Sequence, residues 1–177
     1  NVYISNVSLG KYQKAKLISD KVNTEDEVEE IVGMNSDGSK SIVYKEDYVS
    51  GGDLYLADFN QKSIFAINKL ASNINSKYAE IAACISDDNQ KLFFASDRPG
   101  GYGGVDLYLC QRLPNGQWSE PNNLGPYVNT YMDEDFPSIS SDGKTLYFSS
   151  KGHSSIGGYD IFKAKWDAKK SKYSFVQ

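Results

Sequence analysis

An aspartate followed by two strand-forming residues recurs along this chain at nearly constant spacing, and whatever the chain folds into must repeat with it. The copies are Asp53-Leu54-Tyr55, Asp106-Leu107-Tyr108 and Asp160-Ile161-Phe162. Asp106 follows Asp53 by 53 residues, Asp160 follows Asp106 by 54, and Asn1-Val2-Tyr3, 52 residues before Asp53, repeats the pattern with Asn for Asp. A second signature is an aliphatic residue, three variable positions, then Val or Ile, Asn and a small hydroxyl. It reads Ile18 with Val22-Asn23-Thr24, Leu70 with Ile74-Asn75-Ser76, and Leu124 with Val128-Asn129-Thr130. Glu80 and Glu134 stand five residues after the last two asparagines, and the first copy lacks that Glu. A third signature is Ser-Asp entering a short apolar run, at Ser36-Asp37, Ser86-Asp87 and Ser141-Asp142. Three independent signatures on one period define a tandem repeat.

Each period parses into four short strands. The last gives Phe136–Ser140, Thr145–Ser149, Asp160–Ala164 and Tyr173–Val176, and the one before it Ile81–Ile85, Lys91–Ala95, Asp106–Cys110 and Gln117–Leu124. Pro114-Asn115-Gly116 supplies the strongest hairpin signal, an Asn-Gly pair. The 13 Tyr and 8 Phe suit a pleated, half-buried surface. The acidic stretch Thr24–Ile31 reads as loop. A four-stranded unit of this size cannot bury both its faces alone. Stacking such units around an axis does so, in propellers of about 4–8 blades. A linear solenoid is the competitor, with shorter repeats and fewer strands in each.

The expected fold is therefore all-β, a β-propeller section with four-stranded antiparallel blades. It comprises a half blade (1–28) and blades at 29–76, 77–130 and 131–177, about three and a half blades of a six- to eight-bladed ring. The first copy opens at a third strand, so the expectation is a fragment or one piece of a nicked protein whose partner includes the remainder of the propeller chain. Open sheet edges would otherwise be exposed.

The net charge of −4 lacks the basic stripe of a nucleic-acid binder, and no apolar run approaches the length of a membrane span. Cys84 and Cys110 fall on the first and third strands of one blade, roughly 9–10 Å apart and beyond disulfide reach. They are expected as buried free thiols.

Regular recurrence of Asp53, Asp106 and Asp160 points to structural turn carboxylates that accept backbone hydrogen bonds from the preceding glycine turn. A ring of catalytic or metal carboxylates is the alternative. Pro99-Gly100-Gly101-Tyr102-Gly103-Gly104 lacks the Lys-Ser/Thr ending and following helix of a phosphate loop. Asp133-Glu134-Asp135 lacks the acidic spacing of an EF-hand. Ser140-Ser141-Asp142-Gly143 is similar to the Asp box of sialidases, less the residue between Asp and Gly, and that box is itself a turn. His153, the only histidine, has no Gly-x-Ser-x-Gly partner motif and reads as a loop residue making a surface contact. No catalytic residue, metal ligand or cofactor is expected.

Strand direction places the fourth-to-first connections and the second-to-third loops at one end of the blades. Arg98, Tyr102, Tyr131, Asp133, Lys151 and His153 then share one rim. Loops on a rigid scaffold are where binding resides, and Tyr and Arg are favoured anchors. This rim is the expected partner surface.

These motifs resemble the WD-repeat-like propeller repeats of TolB type, and most closely the variant in Bacteroidetes outer-membrane proteins of the OmpA family. The residues that carry the resemblance are Glu134-Asp135-Phe136-Pro137-Ser138-Ile139-Ser140, Asp142-Gly143-Lys144-Thr145-Leu146-Tyr147-Phe148-Ser149-Ser150 and Gly157-Gly158-Tyr159-Asp160-Ile161-Phe162. Trp118-Ser119-Glu120-Pro121-Asn122-Asn123-Leu124-Gly125 adds to them. The resemblance implies a non-catalytic scaffolding module in a periplasmic, outer-membrane-associated assembly of the type IX secretion kind. Its partners would be other envelope or secretion-system proteins. The alternatives are the propeller of a glycan-active enzyme or peptidase, and a carbohydrate-binding propeller using rim tyrosines.

Overall fold

The computed structural model describes residues 1–25, 28–47, 51–60 and 63–176. Three four-stranded antiparallel sheets dominate it, each a meander with its strands in chain order. The first sheet comprises β5 (Val28–Met34), β6 (Lys40–Asp47), β7 (Gly51–Asn60) and β8 (Ser63–Lys69). The second has β9 (Glu80–Ile85), β10 (Lys91–Ser96), β11 (Asp106–Gln111) and β12 (Asn122–Asn123). The third has β13 (Glu134–Ile139), β14 (Thr145–Ser150), β15 (Asp160–Asp167) and β16 (Lys172–Val176). Ahead of them β1 (Tyr3–Ile4) pairs with β4 (Lys16–Leu17), and β2 (Val7–Ser8) with β3 (Lys11–Tyr12) forms a small hairpin between them. The fold is an all-β propeller section.

The strand at Val28–Met34 corrects the loop expected over Thr24–Ile31: residues 28 to 31 pair with Val43–Glu46 across the first ladder. Their charges misled because alternation, not acidity, decides a half-buried strand: Glu29 is buried and Glu30 exposed. The expected long strand at Gln117–Leu124 is likewise reduced to β12 and an isolated bridge between Arg112 and Trp118.

Stacking of the sheets explains why the middle one is apolar without interruption. Leu92, Phe93, Phe94 and Ala95 are all fully buried. Successive side chains of a strand point to opposite faces, so Leu92 and Phe94 enter the core against the first sheet while Phe93 and Ala95 enter the core against the third. The two cysteines divide in the same way, Cys84 into the second–third core and Cys110 into the first–second core. Both are free and buried, and burial pushes each thiol up to about 12. Tyr173 meets Phe93 edge-on across the second junction, ring centroids 5.4 Å apart, an arrangement worth about 0.5–1.5 kcal/mol beyond its buried area.

The repeated asparagines stitch the β1–β4 pair and the first two four-stranded sheets to their outgoing linkers. A primary amide offers one acceptor and two donors, which lets it stand in for a peptide of a neighbouring strand. Asn75 accepts from the Leu54 N–H at 2.8 Å and donates to the Leu54 and Leu70 carbonyls at 2.9 and 3.0 Å. Asn129 does the same at Leu107, 2.9 and 3.0 Å, and Asn23 at Val2, 2.5 and 3.1 Å. The residue clamped is always the one after the Asp position of the third strand.

Candidate partner-binding rim

The rim is built on a buried carboxylate. Glu134, fully buried, accepts from the Thr130 N–H and hydroxyl at 2.7 Å each and from the Ser150 hydroxyl at 2.6 Å. Glu80 accepts from the Ser76 N–H and hydroxyl and from Ser96 at 2.7–2.9 Å. Thr24 donates both its N–H and its hydroxyl to Glu29 at 2.6 Å. The first repeat therefore does carry the glutamate that its spacing hides, displaced by one residue. Each carboxylate fixes the linker that enters the next blade, and with it the loops above.

Asp133 ties three of those loops together. Its Oδ1 accepts from the Val105 N–H at 3.1 Å, its carbonyl accepts from the Lys151 N–H at 3.0 Å, and its Oδ2 takes the Lys151 ammonium at 2.7 Å. That ammonium bond holds the Asp133 carboxyl below its ordinary range and raises Lys151. The loops approach one another closely at two glycines. A methyl on Gly103 would sit 1.9 Å from the Met132 carbonyl oxygen, and one on Gly152 would sit 2.2 Å from the Thr130 hydroxyl. Only glycine permits that approach.

Between the two loops lies an open cleft of about 680 Å³, lined by Tyr102, Tyr131, Pro126, Thr130, Lys151 and His153 among others. Tyr131 is 84% exposed and Tyr102 51%. Lys151 reaches over the Tyr159 ring, 4.7 Å from its centroid, and burial raises the Tyr159 phenol. Asp135, just below, is 2% exposed and accepts from the Phe136 N–H. Burial pushes its carboxyl above the ordinary range. Phe136 itself sits at φ +49° and is turned outward, beside Pro137, which has no N–H for the ladder.

Two of the six expected rim residues are not open anchors. Arg98 turns inward, 13% exposed, with its guanidinium 4.8 Å from the Phe94 ring and 5.2 Å from that of Tyr108. It donates to Glu80 at 2.9 Å and to the carbonyls of Asn73 and Ile74 at 3.0 and 2.8 Å. With every donor edge directed into the protein, it is a rivet between the second sheet and the linker that enters it. His153 is half-buried rather than a surface contact. Its ring stacks on Phe175 at 4.4 Å, and Nε2 lies 2.8 Å from the Val128 carbonyl. Only its edge reaches the cleft. Tyr102, Tyr131, Lys151 and, through Lys151, Asp133 are brought together. Tyr159 was missed although it stands in the Gly-Gly-Tyr-Asp run, because position in a strand-entry motif says nothing of what a side chain faces.

The recurrent aspartates sit where turns enter the third strands. Asp106 accepts from the N–H groups of Tyr102 and Gly103 and from Asn123, and Asp160 from the Ile156 N–H and the Ser155 hydroxyl. Asp53 pairs with Lys69 at 2.5 Å; the segment before its glycines, residues 48–50, lies outside the described residues. Among the described residues no group of three or more His, Cys, Asp or Glu converges as a metal site, and no helix is long and apolar enough to cross a membrane.

No protein-family model matches the chain, and no curated protein matches it. Solved structures do. The putative TolB from Agrobacterium tumefaciens superposes with a TM-score of 0.59 at 16% identity, over 98% of this chain and 59% of that one. TolB from Acinetobacter baumannii gives 0.56 at 15% identity, over 99% of this chain and 40% of that one. The chain thus spans less than two thirds of either neighbour. At these identities the likeness concerns architecture, and the architecture is that of a TolB-like β-propeller.

Proposed function

We propose that this chain is a non-catalytic propeller module that captures protein segments on the rim between its second and third sheets. The carrying observation is the cleft itself: two exposed tyrosines stand on loops locked to each other through Asp133, Gly103 and Gly152. Rigid, amphipathic aromatic anchors contribute contact area at small cost in conformational freedom. The setting we propose is a periplasmic, outer-membrane-associated assembly of the type IX secretion kind, with other envelope or secretion-system proteins as partners. The resemblance of residues 93–165 to Bacteroidetes OmpA-family propellers, PorE among them, supports that setting, and the TolB-like architecture is consistent with it.

Photo-crosslinking in cells tests the reading. A photoreactive residue at Tyr131 should form a defined adduct, and the same residue at Asn115, on a turn at the opposite end of the blades, should not. Equal labelling at both positions, or none at Tyr131, would remove the rim from consideration.

A further inference from the structure

Phe59, Arg112 and Trp166 occupy one place in the repeat. Each donates its backbone N–H to the carbonyl of the residue before the second strand, Ser39, Gln90 and Lys144, at 2.8–2.9 Å. Each also stands across from a buried residue of the returning chain, Ile64, Trp118 and Tyr173. In the first and third sheets that place holds an aromatic ring packed against a hydrophobic core. Phe59 lies beside the core of Ile18 and Val22, and Trp166 beside that of Phe93 and Tyr173. The second sheet puts an arginine there, and an open cleft of about 570 Å³ lies between it and the first sheet. Leu56, Leu70, Asn73, Arg112, Trp118 and Glu120 are among the residues that line it.

Arg112 differs from Arg98 in what it does with its donors. Arg98 directs them to Glu80 and two carbonyls. The Arg112 guanidinium lies on the Trp118 ring, 4.7 Å from its centroid, and among the described residues it makes no hydrogen bond and no ion pair. A planar fork backed by an indole and unpaired along its edges matches a carboxylate, which accepts two parallel N–H bonds. Its base is fixed. Ser119 donates its N–H to the Gln111 carbonyl at 2.8 Å, and the Asn73 Nδ2 donates to the Ser119 carbonyl at 2.9 Å. These bonds tie the hairpin that carries Arg112 to the linker that lines the same cleft, so the cation is positioned before any ligand arrives.

Other lining groups narrow the ligand. Lys69 is paired with Asp53, and Glu120 disfavours a run of negative charges, so one carboxylate is matched rather than several. Trp118 is only 8% exposed, its face under Arg112, which leaves no stacking platform for a sugar ring. Asn68 and Lys69 end β8, the outermost strand of the first sheet, and an extended peptide suits such an edge. We infer that this cleft is a second binding site, for an extended peptide segment that carries one Asp or Glu side chain among neutral residues, its carboxylate held by Arg112. None of the lining residues belongs to the rim cleft, so the two sites stand or fall separately. Asn115 precedes Gly116 of this cleft, so the rim crosslinking comparison is made with Arg112→Ala in both proteins.

The test is binding of the 177-residue protein to immobilised, amide-capped peptide libraries, each with one fixed central residue, Glu or Gln, between randomised neutral positions. The Glu library should retain the protein at least about tenfold better than the Gln library, the scale of a hydrogen-bonded charge pair. Arg112→Ala should abolish that preference with the fold intact by thermal midpoint. Arg112→Lys, which keeps a cation but loses the fork, should remove most of it. The Tyr102→Ala, Tyr131→Ala double variant should keep it, so failure of the rim reading leaves this one standing. Equal retention on the Glu and Gln libraries, or a Glu preference that survives Arg112→Ala, would overturn the inference. So would Gln peptides with a free C-terminal carboxylate retained as well as the amide-capped Glu peptides, which would assign the site to chain ends. Arg112-dependent retention on polygalacturonate in place of peptide would overturn it too, and assign the site to an acidic glycan.

Discussion

In the second sheet the Arg98 guanidinium lies over Phe94 and Tyr108, a directly paired couple in the ladder, and donates to the carbonyl of Ile74. In the third, the His153 ring lies against Phe148 and Phe162, the corresponding couple, and bonds the carbonyl of Val128. Ile74 and Val128 each precede the clamp asparagine. The two junctions thus use one socket with two chemistries. Arginine also reaches the buried carboxylate of Glu80, whereas Glu134 is satisfied by hydroxyls and an amide alone. The cation of the third sheet's loop, Lys151, is therefore left to pair with Asp133 at the surface, where it borders the cleft. One loop is riveted shut; its counterpart is riveted lower down and presents a binding surface above.

Breaking the rivets should rank accordingly. Arg98→Ala leaves the Glu80 charge buried without its partner, and should cost about 3–5 kcal/mol by denaturant unfolding. Asn129→Ala strands the Leu107 N–H and carbonyl, and should cost about 2–3 kcal/mol, at roughly 1 kcal/mol for each of its hydrogen bonds. His153→Ala removes a stack and one hydrogen bond but no charge partner, and should cost about 1–2 kcal/mol. If His153→Ala proved as costly as Arg98→Ala, the two sockets would not differ as described.

Smaller effects sharpen the third-sheet side. The folded protein holds the Asp135 proton more tightly than the unfolded chain does, because burial disfavours the charge. Its ionisation therefore costs stability above the ordinary carboxylate range, and the cost disappears as pH falls below that range. Asp135→Asn should raise the thermal midpoint at about pH 7 and leave it unchanged at about pH 2.5, well below the ordinary carboxyl value. A variant without any gain at neutral pH would show that the Phe136 N–H bond compensates the burial. Lys151→Ala, at an exposed pair, should leave the midpoint within error.

The propeller was legible because its signatures sit on strands and turns, where hydrogen-bond geometry demands particular residue types. Asp106 and Asp160 recur since a short carboxylate reaches nearby N–H groups, and the period follows from them. What the pattern hid is explained by side-chain length and local insertion. Glu29 escapes the pattern because a single extra residue separates it from Thr24, though the buried carboxylate tolerates that shift. Arg98 and His153 belong to the rim by their backbones, yet each folds onto a paired couple of aromatic rings in its own sheet. Tyr102 and Tyr131 stay exposed, and neither ring packs against another aromatic ring among the described residues. Loop membership locates a Cα; packing beneath it decides which way the side chain goes.

The central claim is that the tyrosines bind and the rivets only hold. It is tested most directly by a photoreactive residue at Ser154, inside the cleft, in cells making either the parent chain or the Tyr102→Ala, Tyr131→Ala double variant. The account predicts a defined protein adduct in the parent, lost in a double variant whose thermal midpoint is unchanged. An adduct of undiminished yield in that folded double variant would contradict it.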